Sequence, residues 1–415
     1  MKIVKKSICA VLAAVMLAGC AGPNLEGGEQ MVSKNTIITD YSISDVKMTG
    51  DYAENAFEKE IEYLLSLDPE KLLSNFRKNA GIDTEGVEPY NGWENSLIGG
   101  HTMGHYLTAL AQACVNGAVS SSNKSKLYER LTYIIDELAK CQVSSGFLWG
   151  SNILDVQNRE AQFDNVEKGL SNLFTEAWVP WYTMHKIFEG LTETYELTGY
   201  EPALEIAKKL GDWVYNRVSG WSEETRNTVL SIEYGGMNDA LYDLYKLTDE
   251  DKYAVAAHAF DEDSLFELIR TDGKNVLNNR HANTTIPKII GALKRYEVLD
   301  GKEVNGEKVD ASEYLETAEI FWQMVVDHHT YATGGNSEWE HFGEDDVLNR
   351  ERTNCNCETC NVYNMLKLTK ELFMVTGDVK YADYYENAFI NHILASQNPE
   401  TGMTTYFQAM ATGYF

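Results

Sequence analysis

Cationic residues are scarce in this chain: 35 Lys and Arg stand against 63 Asp and Glu, a net charge of −28 at pH 7 over 415 residues. Such a chain is repelled by a phosphate backbone, so nucleic-acid binding is excluded and a neutral partner is expected. Proline is sparse too, with seven residues, and no tract is of low complexity, which excludes a fibrous or disordered chain. Beyond the first twenty residues no apolar run is long enough to span a bilayer. Seven cysteines are present, and setting aside Cys9 and Cys20 leaves an odd number, which argues against a complete disulfide framework.

What is present begins with an address. Lys2, Lys5 and Lys6 precede an apolar run from Ile8 to Leu17, followed by Leu17-Ala18-Gly19-Cys20. This is the pattern of a secretory signal ending in a lipobox, with Cys20 as the lipidated residue. The expected product is an extracytoplasmic lipoprotein held to the bacterial cell membrane by its lipid anchor alone. Residues 1–19 are the expected signal peptide. Residues 20–50, rich in Gly, Ser, Asn and Thr, are expected to be a tether with at most one short strand.

From residue 51 the apolar spacing is helical almost throughout: Ile187, Phe188, Leu191 and Tyr195 share one face, as do Met365, Leu368, Leu372 and Val375. A phrase recurs in which a helix stops at Gly or Asp and a second one starts: Leu197-Thr198-Gly199-Tyr200, Leu247-Thr248-Asp249, Val298-Leu299-Asp300 and Val375-Thr376-Gly377-Asp378. Each marks the turn of an αα-hairpin. Hairpins either stack into a solenoid or close into a toroid. The long Gly- and aromatic-rich connections Gly146 to Asn158 and Gly334 to Gly343 favour the toroid, whose loops gather over one mouth. The expected fold is all-α, an α/α toroid over residues 51–397. Its usual ligand, a sugar chain, suits a neutral partner and the 24 Tyr and 8 Trp.

Polar clusters interrupt the apolar faces. His101 and His105 open a helix at i, i+4, a spacing compatible with metal, sugar contact or capping. His185 and His281 each begin a helix after a loop. The loop Gly334 to Gly343 sets Glu340 beside aromatic residues, an environment that can raise a carboxyl toward general-acid duty. Cys355-Asn356-Cys357-Glu358-Thr359-Cys360 places thiols and a carboxylate at a spacing that suits zinc, a Cys355–Cys360 disulfide, or buried free thiols.

Several of these stretches together resemble the β-L-arabinofuranosidases of glycoside hydrolase families 127 and 146, the latter branch more closely. The likeness is carried by Leu72 to Gly81, Gly92-Trp93-Glu94, Gly100-His101 through Leu107, Trp181 to His185, His281-Ala282-Asn283-Thr284, Gly334 to Ser337 with Glu340-His341-Phe342, and Glu358-Thr359-Cys360-Asn361 with Tyr363 to Leu368. It covers about residues 60–415 in order. The resemblance implies an (α/α)6 barrel and a retaining hydrolase that removes β-L-arabinofuranosyl units from plant glycans. It implies zinc held by one glutamate and three cysteines, one of them the nucleophile, with Glu358 and Cys360 matching two ligands. Glu340 matches the general acid/base, His185 and His281 match sugar-pocket histidines, and His101 and His105 lie near the pocket by position. The pattern departs at one point: the family's adjacent cysteine pair, expected downstream of the segment matching Met403 to Phe407, has no counterpart after Cys360. Residues 398–415 are therefore expected to start a C-terminal region, with the nucleophile beyond residue 415 and the chain inactive on its own. The alternatives are a non-catalytic, surface-tethered glycan-binding lipoprotein and another toroid sugar enzyme, such as an unsaturated uronyl hydrolase or an epimerase.

Overall fold

A computed structural model describes residues 35–304 and 307–413; the signal segment and Cys20 lie outside them. Fifteen α-helices follow in order: α1 (Asp51–Ser66), α2 (Pro69–Ala80), α3 (His101–Val115), α4 (Ser121–Cys141), α5 (Ala161–Val166), α6 (Pro180–Thr198), α7 (Glu201–Val218), α8 (Glu223–Leu230), α9 (Met237–Thr248), α10 (Asp251–His258), α11 (Asp263–Thr271), α12 (Ala282–Leu299), α13 (Ser312–Met324), α14 (Thr359–Thr376) and α15 (Val379–Ala388). The one named strand pair among the described residues, Glu303–Val304 with Glu307–Lys308, is antiparallel and two residues long on each side. No described helix is long and apolar enough to cross a membrane.

The recurring Thr-Gly and Thr-Asp phrase is explained by its hydrogen bonds. Thr198, Thr248 and Thr376 each end a helix, and each hydroxyl donates back to the carbonyl four residues earlier, at 2.5, 2.7 and 2.7 Å. The same hydroxyls accept from the amides of Tyr200, Glu250 and Asp378, which belong to the next helix start. One side chain thus closes one helix and opens the next. Between them Gly199, Asp249 and Gly377 turn the chain through φ of 66°, 54° and 70°, the left-handed conformation that frees the chain from the helix.

These turns arrange α3, α6, α9, α12 and α14 as parallel inner helices, with α4, α7, α10, α13 and α15 returning on the outside. This is the expected α/α toroid. Successive inner helices pack side by side, and α3 and α6 approach most closely. A Cβ on Gly104 would stand 1.9 Å from the Lys186 carbonyl oxygen, and one on Gly190 would stand 2.6 Å from the Gly104 oxygen, so glycine alone fits both positions. Two apolar cores fill the wall: one runs from Ile61 to Phe260 and takes in Val298 and Leu299, the other gathers residues between Leu265 and Ala388. On the remaining side, between α14 and α3, the two helices share no extensive interface. Tyr363, Lys367 and Gln112 border an open cavity of about 470 Å³ there.

The segment expected to be a tether is docked from residue 35 onward. Asn35 donates to the carbonyls of Tyr296 and Asp300, the amides of Ile37 and Ile38 donate to Met374, Asp40 pairs with Lys370, and the Gly117 amide donates to Ile43. It crosses the C-terminal ends of α12, α14 and α3 as a strap. Its regular element is a 3-10 turn at Ile43–Asp45 rather than a strand, because its amides bond to helix ends and not to a neighbouring extended chain.

Candidate active site

The N-termini of the inner helices share one mouth, and the loop carrying Glu340 is laced onto it. The Ala282 amide, at the start of α12, donates to the Glu340 carbonyl at 2.8 Å. Phe342 N–H donates to Arg280, and Asn279 N–H to Phe342. Within the loop the amides and carbonyls of Glu338 and His341 pair reciprocally. Ser337, Trp339 and Glu340 all hold positive φ, at 75°, 47° and 68°, a conformation that disfavours side chains.

This backbone points the Glu340 carboxylate between two partners. His281 Nε2 lies 3.2 Å from Oε2, and the Tyr406 hydroxyl lies 3.0 Å from Oε1. Tyr406 also lies 2.5 Å from Glu358 Oε1. One hydroxyl hydrogen cannot serve two carboxylates at once. The hydrogen bond from His281 holds Glu340 below the usual carboxylate range, whereas burial raises Glu358. The expectation that the aromatic loop raises Glu340 is reversed: a histidine donor outweighs desolvation at this half-exposed group. For His281, burial acts against the charged form, but the Glu340 carboxylate prevails and the ring is raised.

Glu358 caps α14 from a fully buried position, and its Oε2 has no hydrogen-bond partner. Cys360 lies beside it, its thiol hydrogen-bonded to that carboxyl. The segment that carries Tyr406 is fastened to the same helix start: the Thr359 amide donates to the Tyr406 carbonyl at 3.0 Å, and Gln408 N–H donates to Asn356 at 2.8 Å. Residues 398–408 thus contribute directly to the site.

The other cysteines do not join this pair. Every cysteine in the described residues is free, so a Cys355–Cys360 disulfide is absent. Cys357 has φ of 52°, which turns its sulfur to within 2.7 Å of where a Gly335 Cβ would sit, and burial pushes its thiol up to about 12. No third His, Cys, Asp or Glu among the described residues meets Glu358 and Cys360 at ligand distance. An orphaned carboxylate oxygen beside a thiol fits zinc in kind; two donors fall short of four in number.

The histidines divide. The rings of His101 and His105 stand edge to face, 6.3 Å apart, at the head of α3. His101 donates through Nδ1 to the Ile98 carbonyl at 2.9 Å. His105 is exposed to the bore. His185 is buried; its Nδ1 accepts from the Gly236 amide at 3.0 Å, and its Nε2 lies 3.5 Å from Glu189. Burial drives its pKa down to about 3, so the ring is neutral, with the proton on Nε2. His185, Glu189 and Asp239 bring ligand atoms within 4.8 Å of one another, a spacing that could hold a metal. A cation is already supplied there by Lys367, whose Nζ lies 3.1 Å from Glu189 and 3.9 Å from Asp239.

Sequence reasoning assigned no role to Tyr406, Tyr182 or Lys186. Tyr182 packs 6.4 Å from His101 and is bonded to Asn283. Lys186 lies over the Tyr182 ring at 5.2 Å, and burial lowers its ammonium to about 8. Tyr406 had one available signal, its place in a segment already noted for its family likeness.

Residues 45–415 match the family described as β-L-arabinofuranosidase, GH127 catalytic domain. A non-reducing end β-L-arabinofuranosidase of Bifidobacterium longum subsp. longum is 23% identical over 252 residues, covering 56% of this chain and 38% of that protein. The crystal structure of a GH127 β-L-arabinofuranosidase from Geobacillus stearothermophilus T6 superposes with a TM-score of 0.62 at 15% identity, over 88% of this chain and 58% of the other. A second GH127 β-arabinofuranosidase structure gives 0.65 at 19% identity, over 91% and 57%. The chain spans about two fifths of the curated relative and under three fifths of these two structures. With its toroid, its Glu340 site and the match over nearly all described residues, the chain belongs to the GH127 β-L-arabinofuranosidase catalytic-domain family.

Proposed function

We propose that the chain supplies the acid/base half of a retaining glycoside hydrolase that releases β-L-arabinofuranosyl units from plant glycans, working outside the cytoplasm on a lipid anchor at Cys20. The observation that carries this reading is the Glu340 carboxylate suspended between His281 and Tyr406, one hydroxyl away from the Glu358–Cys360 pair. Glu340 and His281 share one proton. In a retaining step a leaving-group oxygen at Glu340 takes that proton as its bond to the anomeric carbon gives way to a bond from the attacking thiol, and the carboxylate then withdraws a proton from the water that displaces that thiol. His101, His105 and Tyr182 border the sugar's seat. His185, matched to a pocket histidine by resemblance, braces it from beneath through Gly236.

Zinc held in part by Glu358 and Cys360 would keep a thiol ionised and fixed. The remaining ligands are not among the described residues, and we assign none of the described cysteines as the attacking thiol. The alternative reading is a glycan-binding lipoprotein without turnover. A calorimetric titration of the full chain with an arabinofuranosyl disaccharide is expected to show binding that His281→Ala abolishes. Absence of binding by the parent chain overturns both readings. Hydrolysis of an aryl β-L-arabinofuranoside, present or absent, then chooses between them.

A further inference from the structure

Two tryptophans at the mouth take no part in the chemistry above. Trp93 lies in the short 3-10 turn Gly92–Asn95 ahead of α3 and is 63% exposed. Trp178 precedes α6, is partly exposed, and meets Trp93 edge to face with ring centroids 5.2 Å apart. An indole left open to water forgoes burial of a large apolar face, and both are held where they are. Glu94, next to Trp93, is buried and accepts from the amides of Gly100 and Thr102 at 2.9 and 3.1 Å, while Asn75 holds its carbonyl. Trp178 has φ of 53°, a left-handed conformation that disfavours a bulky side chain and persists only where the surroundings impose it.

The pair stands where the chain enters α3 and α6, the two helices whose first turns carry His101 and Tyr182. It is therefore on the rim of the same mouth as Glu340. From this placement we infer that Trp93, braced by Trp178, is a carbohydrate platform: a subsite that stacks on the C–H face of a neutral sugar residue on the leaving-group side of the cleaved unit. The inference rests on the glycosidase reading and extends it, since a platform outside the pocket recognises glycan chains and not the terminal sugar alone. The acidity of the chain favours a neutral ring over a uronate.

The test uses the full chain with ¹⁵N-labelled indoles, titrated with L-arabinose and with an arabinofuranosyl-terminated trisaccharide. The trisaccharide is expected to shift the Trp93 and Trp178 resonances, which L-arabinose leaves in place. Trp93→Ala is expected to weaken trisaccharide binding about tenfold with L-arabinose binding unchanged, while Trp93→Phe keeps most of the affinity. Unchanged trisaccharide affinity in Trp93→Ala overturns the platform. So does an equal loss for both sugars, which marks a structural effect. Binding of neither sugar by the parent chain overturns the glycosidase reading and the platform with it.

Discussion

The bore gathers carboxylates at both ends, and the two groups are built on opposite terms. Toward the strap, Lys294 lies 3.3 Å from Asp243, 3.6 Å from Glu297 and 3.7 Å from Glu371, and Lys367 lies 3.1 Å from Glu189. These acids face lysines that they hold charged, and the result is an ion-paired layer, richer in acids than in lysines, tying α6, α9, α12 and α14 together. At the mouth, Glu340 and Glu358 have no lysine or arginine within salt-bridge distance among the described residues. Their partners are a histidine, a phenol and a thiol, each able to give up or take a proton. The comparison shows that burial of acids is not itself a sign of catalysis. What separates the two ends is the partner: lysines held charged by the acids around them at one end, and a histidine that shares a proton with Glu340 at the other.

The largest expected effect breaks the mouth. Glu340→Gln should lower whatever aryl β-L-arabinofuranoside turnover the parent chain shows by roughly 10²- to 10⁴-fold while the unfolding midpoint stays near that of the parent, checked by hydrolysis alongside thermal melts. At the other end the pattern should invert. Lys294→Met leaves three acids without their buried partner and should remove about 3–5 kcal/mol of stability, read from urea unfolding; an unchanged midpoint would show that the layer is decorative. A smaller effect sharpens the contrast through pH. Because His281 is raised by Glu340, its contribution to stability is fully present below the ordinary histidine value of 6.5 and is lost as pH rises through the raised one. His281→Asn should flatten the stability profile in that window, and NMR titration of the ring should show its pKa fall in Glu340→Gln. Least of all, Tyr406→Phe should slow turnover about tenfold, since it removes one of the two hydrogen bonds that aim Glu340.

Much of this was legible in the sequence, for local reasons. The hairpin turns are written in contiguous residues, Thr followed by Gly or Asp, whose hydrogen bonds reach no farther than four positions. The long loop from Gly334 announced itself by glycine and aromatic content. What escaped depends on distant partners. The direction of the Glu340 shift is set by His281, 59 positions away, and its second hydrogen bond by Tyr406, 66 positions away. Cys357 and Cys360 look like one cluster on the page, yet a single left-handed residue sends one sulfur behind the loop. The lysines of the bore were invisible because the polar side of an inner helix has the same spacing as the polar side of an outer one. The strap reads as a tether in sequence because its bonds are to helix ends, which leave no periodic trace.

The left-handed backbone at Ser337, Trp339 and Glu340 has an evolutionary consequence. Glycine at any of the three positions would relieve about 1 kcal/mol of backbone strain, so selection for folding alone pushes this loop toward glycine. At position 340 that drift would erase the carboxylate. Stability and chemistry pull in opposite directions at one residue, and a glutamate standing there records which of them prevailed.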